Sequence, residues 1–173
     1  MGRARVVVLV AAAIVVAAAI AWWAWPRDTP ETRIRAQLAR LARAVHVDPA
    51  ESPLARRARI GGELEEVLSK EVVYDVDEPS LPGLGSGSGR GALADLATQA
   101  AAAWTDADVD LSDVRVTVAP SLRSATVDAT ATLAGTRRDG SGSEHDRRDV
   151  TFELRLIDGE WRVSAIHVSA RRE

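Results

Sequence analysis

"LRLIDGEWRVSAIHV", residues 154–168, decides the fold. Leu154 and Leu156 alternate with Arg155, so the segment has one apolar face and one charged face. Asp158-Gly159 is a two-residue hairpin turn of the type that needs positive φ at both positions. Beyond it Trp161, Val163 and Ala165 repeat the alternation on a returning strand. A lone hairpin with one apolar face is unstable in water. It needs further strands beside it and a second layer over its apolar side.

Working backward from this hairpin, both are present. Val150 and Phe152 extend the inward row of Leu154 and Leu156. Val127, Ala129, Ala131 and Leu133 alternate with Thr126, Asp128, Thr130 and Thr132, and Val114, Val116 and Val118 with Arg115 and Thr117. "GTRRDGSGSEHDRRD", residues 135–149, contains no core residue and predicts an exposed hairpin loop. Ahead of the strands stand three helical patterns. In "DTPETRIRAQLARLARAVHV" Asp28 or Thr29 caps, Pro30 opens the first turn, and Ile34, Leu38, Leu41 and Val45 form one face. "ESPLARRARIGGELEEVLSK" starts at Ser52-Pro53 and carries Leu54, Ala58, Leu64 and Leu68, with Gly61-Gly62 expected to weaken or bend it. "EVVYDVD" is a strand with Val72, Tyr74 and Val76 on one face, and "ALADLATQAAAAW" is the third helix.

Helices first, one strand, a helix, then a meander ending in an apolar strand, Asp158-Gly159, Trp161 and an apolar return resembles the nuclear-transport-factor-2-like superfamily. That group includes SnoaL-like polyketide cyclases, ketosteroid isomerase and scytalone dehydratase. "GRGALADL" also looks like the Gly-Arg-x-x-hydrophobic opening of the third helix in that group. The resemblance covers about residues 29–169. It implies an α+β fold, three N-terminal helices packed on a curved, mainly antiparallel sheet that forms a cone around a pocket. It does not imply an activity, because the fold carries both enzymes and binding domains.

Strand parity fills the pocket. Inward rows place Tyr74, Ala129, Leu154 and His167 as candidate ligand-pocket residues, with Trp104 at the end of the third helix beside them. For His167 two readings stand: it continues the row of Trp161, Val163 and Ala165, yet Ile166 and Val168 suggest that the row switches through a bulge. An enzyme of the SnoaL-like type (isomerase, cyclase or dehydratase) acting on a small apolar molecule would need an acid or base inside the cone. Asp75, Asp128 and Glu153 all alternate outward, His145 lies in the 135–149 loop, and His46 reads as a cation at a helix C-terminus. No acid–base pair results, so no catalytic residue is assigned.

Three scattered histidines and no cysteine give no metal-ligand spacing, and no cofactor is expected. Gly87-Ser88-Gly89-Arg90-Gly91-Ala92, with Asp106, Asp108 and Asp110 some twenty residues on, formally fits a dinucleotide fingerprint. The preceding strand ends about ten residues too early and an antiparallel meander follows, so no nucleotide is expected. The outer sheet row of Arg115, Thr117, Thr126, Asp128, Thr130, Thr132, Thr151, Glu153 and Arg155 is polar, which predicts a monomer or a weak dimer.

The N-terminus decides location. Val6 to Trp25 is a run of 20 residues without charge, proline or glycine. As a helix it measures roughly 30 Å, the thickness of a bilayer's hydrocarbon core. Trp22, Trp23 and Trp25 form an interfacial belt, Pro26 ends the helix, and Arg3 and Arg5 favour a cytoplasmic N-terminus. Residues 1–26 thus read as an uncleaved signal-anchor in the cell membrane, and 27–173 as an extracytoplasmic domain. A cleaved signal peptide would export the same domain. All 25 Asp and Glu and 20 of the 22 Lys and Arg lie in 27–173, a net charge of −5 that argues against nucleic acid. One span joined to this fold resembles envelope proteins of secretion and lipid-import systems. That resemblance implies a non-catalytic binding or scaffold domain with envelope protein partners.

Overall fold

A computed structural model describes residues 29–77 and 85–170. The apolar run at 6–25 and its tryptophan belt lie outside them. Among the described residues no helix is long and apolar enough to cross a membrane.

Helix α1 spans Pro30–Ala44, with Thr29 accepting a hydrogen bond from the Thr32 N–H and Pro30 in its first turn. Its buried face is Ile34, Leu38 and Ala44. Helix α2 spans Pro53–Val67 and is capped by the Ser52 hydroxyl, which accepts from the Ala55 N–H. Strands and one more helix follow: β1 Leu68–Asp77, β2 Gly87–Ser88, α3 Arg90–Ala102, β3 Trp104–Val118, β4 Ser124–Arg137, β5 Ser143–Ile157 and β6 Glu160–Ala170. The sheet order is β2-β1-β6-β5-β4-β3. Among the described residues only β1 and β6 pair in parallel; the other neighbours are antiparallel. Helix α2 packs against both α1 and α3, and all three lie on the sheet, giving an α+β domain with a mainly antiparallel sheet.

The inward rows build the core. Val127, Phe152, Leu154, Trp161 and Val163 are all at most 4% exposed. Each large apolar side chain buried this way contributes roughly 1.5–3 kcal/mol. The Asp158-Gly159 turn has both residues at positive φ, 51° and 82°, as a tight hairpin between right-twisted strands demands.

Three sequence expectations are corrected. The buried stripe of α2 is Arg56, Ile60, Leu64 and Val67, and Leu54 is 79% exposed. A charged residue heads the stripe: Arg56 donates to the Asp48 carbonyl at 2.8 Å and lies 3.7 Å from the Glu51 carboxylate, which offsets part of its burial while its Nε makes no hydrogen bond. Gly61-Gly62 does not interrupt α2, because Ile60 and Leu64 are anchored on either side of the pair. The 135–149 stretch is mostly ladder, paired from Leu133↔Asp146 to Thr136↔Ser143, which leaves only residues 138–142 as loop. Backbone pairing needs no core residue, and Arg137 adds a guanidinium stacked 4.4 Å from the Trp104 ring centroid.

Candidate functional site

Among the described residues a concavity lies on either side of α1. The first is the interior of the cone, a cavity of about 270 Å³ between the three helices and the inner sheet face. Leu41 and Ala42 of α1 with its C-cap Val45, Leu64 of α2, and Leu93 and Ala97 of α3 form its roof. Val109 and Leu111 of β3, Ala131 of β4, Val150 and Phe152 of β5, and Ile166 and Val168 of β6 form its floor. Among the described residues every lining side chain is apolar. The pattern follows from small residues on facing elements: Ala42, Ala97 and Ala131 leave the space that larger side chains would fill.

The pocket residues expected from parity lie around this cavity rather than in its wall. Ala129 and Leu154 are core neighbours on the same inward rows, 7% and 0% exposed. Trp104 is buried under the Arg137 guanidinium at the start of β3. Tyr74 is half-buried beside Ile166, over Gly87, where a Cβ would overlap its phenol ring. Gly87 and Ser88 form the short strand, and Gly89, at φ 97°, starts α3 while its N–H reaches the Val72 carbonyl.

His167 points the other way. A register shift between Glu153 and Leu154 sets Val163 opposite Leu154 but Ala165 opposite Glu153, so Ser164 is an extra residue. Past this bulge Ile166 and Val168 take the inner face, and His167 is exposed opposite Thr151 on the outer one. Of the two sequence readings, the bulge is the correct one.

The second concavity is a groove of about 710 Å³ between α1 and β3, the edge strand. Arg35, Ala39, Arg43 and His46 line one side; Asp108, Asp110 and Val114 line the other. Here the sequence reading missed a pair. His46 Nδ1 lies 2.6 Å from Asp108 Oδ1, so the imidazole is paired with a carboxylate rather than serving as an isolated helix-end cation. The placement comes from Val47, which exchanges backbone hydrogen bonds with Ala107 at 2.8 and 3.2 Å and draws the end of α1 against β3. Nothing local in the sequence marks this, since the two residues are 62 positions apart. Both side chains are solvent-accessible, 43% and 79% exposed. Among the described residues no group of three or more His, Asp or Glu side chains comes together to hold a metal ion.

No protein-family model and no curated protein matches the chain. Solved structures do. A nuclear transport factor 2-like superfamily protein from Salmonella enterica superposes with TM-score 0.67 at 12% identity, over 84% of this chain and 94% of that one. An NTF2-like protein with a cystatin-like fold from Novosphingobium aromaticivorans gives 0.59 at 18% identity, over 80% of each chain. The hexachlorocyclohexane dehydrochlorinase LinA-type3 from Novosphingobium barchaimii gives 0.61 at 16% identity, over 80% and 84%. The chain therefore has the nuclear-transport-factor-2-like fold. Identities this low speak for the fold alone.

Proposed function

We propose that the chain is a single-pass membrane protein whose extracytoplasmic domain binds a small apolar molecule in the cone and does not transform it. The apolar run 6–25, the tryptophan belt and the leading Arg3 and Arg5 support the anchor and its direction. The observation that carries the binding reading is the cavity wall, which holds no polar or titratable side chain among the described residues. Acid–base chemistry needs two groups whose environments set different pKa values, and such a wall has none to offer. An apolar concavity of this size offers an apolar guest a surface with which water makes no hydrogen bond. Envelope proteins are the partners such a tethered domain would serve.

Naphthalene is a suitable probe. It is expected to bind the protein in ligand-observed NMR, and Ala131→Phe, which fills the cavity from the sheet side, is expected to remove at least nine-tenths of that binding with the fold retained. Unchanged binding by the filled variant, or no binding by the parent protein, sinks the reading.

A second reading is favoured by the His46–Asp108 contact. Asp108 would orient the imidazole and leave its other nitrogen free to take a proton in the groove, as an enzyme of this fold would require. A dehydrochlorinase among the structures of the same fold supports that alternative. Chloride release from hexachlorocyclohexane tests it. A turnover that His46→Gln cuts by 100-fold or more, at unchanged melting temperature, would establish the enzyme; absence of turnover leaves the pair as a surface contact.

A further inference from the structure

We propose that the end of the domain bearing the β3–β4 turn, residues 119–123, rests on the bilayer, with Leu122 in the headgroup layer. The proposal builds on the reading that residues 6–25 span the membrane. That span ends at Trp25 and α1 begins at Pro30. The five residue steps from Trp25 to Pro30, fully extended, reach about 18 Å at most. The start of α1 must therefore stay close to the lipid surface, and it is fastened to one end of the sheet.

Two contacts fix which end. The Arg33 guanidinium donates to the Gly159 carbonyl in the β5–β6 turn, and that of Arg35 donates to the Val114 carbonyl at 2.9 Å. The β3–β4 turn belongs to the same end, because the Leu156 N–H donates to the Arg123 carbonyl at 2.9 Å. Within this turn Leu122 is held at φ 55° and is 58% exposed. A branched apolar side chain in left-handed backbone, turned to solvent, is costly, and the described hairpin turns at 138–142 and 158–159 hold only polar residues and glycine.

The charges around it suit lipid headgroups that are neutral overall. Arg33, Arg35 and Arg123 are exposed at this end, and so are Glu31, Asp113 and Asp158. One leucine would not hold a free domain on a membrane. Tethering changes that, since the anchor sets a high effective concentration of lipid at the turn and a weak contact is then populated.

The chain has no cysteine, so single labels are clean. Leu122→Cys and, as the opposite end, Ser141→Cys are each labelled with an environment-sensitive fluorophore in the full-length protein. The protein is placed in phosphatidylcholine nanodiscs containing spin-labelled lipid. Quenching at position 122 is expected to exceed that at 141 by at least threefold. Equal, weak quenching at both sites in protein that resists carbonate extraction from cell membranes overturns the proposal and spares the anchor. Extraction by carbonate overturns the anchor, and the proposal with it.

Discussion

Trp161→Ala is expected to lower stability by about 3–5 kcal/mol, the range for truncating a large buried aromatic side chain. Trp161 is 2% exposed and sits opposite Leu156 on the hairpin at the centre of the sheet. Its removal opens a void where β6 meets the rest of the core, and no polar partner is lost, so the effect is one of packing. Thermal unfolding should show a drop of roughly 10 °C or more for a domain of this size. A shift of only a degree or two would mean that the hairpin is not packed as described.

Arg59→Met is the next largest. This guanidinium donates to the carbonyls of Arg43, Ala44 and His46 at 3.2, 3.0 and 2.6 Å, satisfying the open C-terminal end of α1. It also meets both oxygens of Glu51 at 3.0 Å. Losing this set is expected to cost about 2–3 kcal/mol, given the strength of charge-assisted bonds in a partly exposed position. The cost should depend on pH. The Arg59 hydrogen bond, more than the nearby charges, holds the Glu51 carboxyl below its ordinary value of 4.5. A lowered folded value means the contribution is complete above the ordinary value and fades as pH falls through the lower one. Melting temperatures of parent and variant should differ most at neutral pH and converge in part below about pH 4. A gap that is constant with pH would remove Glu51 from the account. The same corner holds His46 beside Asp108, so the variant should also disturb the groove.

Much of this was legible in the sequence because period-two alternation reports burial directly. The rows Val127-Ala129-Ala131 and Val150-Phe152-Leu154 kept their inward sense, and Asp158-Gly159 turned where it should. What was illegible arose where one residue shifts a register or where a contact spans distant segments. Ser164 at the β6 bulge reverses the row beyond it, and only the paired strand reveals the reversal. Asp113, at φ 54°, does the same in β3, restoring Val116 to the face that Leu111 occupies. Arg56 broke the apolar count in α2 because its compensation comes from the Asp48 carbonyl, outside the helix. The His46–Asp108 pair depends on a one-residue bridge at Val47, which no periodicity encodes.

The open edge of β3 has a consequence for molecules crowded in two dimensions. A strand of 15 residues at the margin of a sheet is a template on which a second copy can add. Tethering to a bilayer would raise the frequency of such encounters, because copies share a plane and an orientation. Past the Val47 bridge, however, the exposed carboxylates of Asp108 and Asp110 stand along this margin. Two copies meeting there would bring like charges together across a new strand pair, a destabilising arrangement. If the domain is tethered as proposed, these alternate aspartates on the edge strand would oppose lateral pairing of copies.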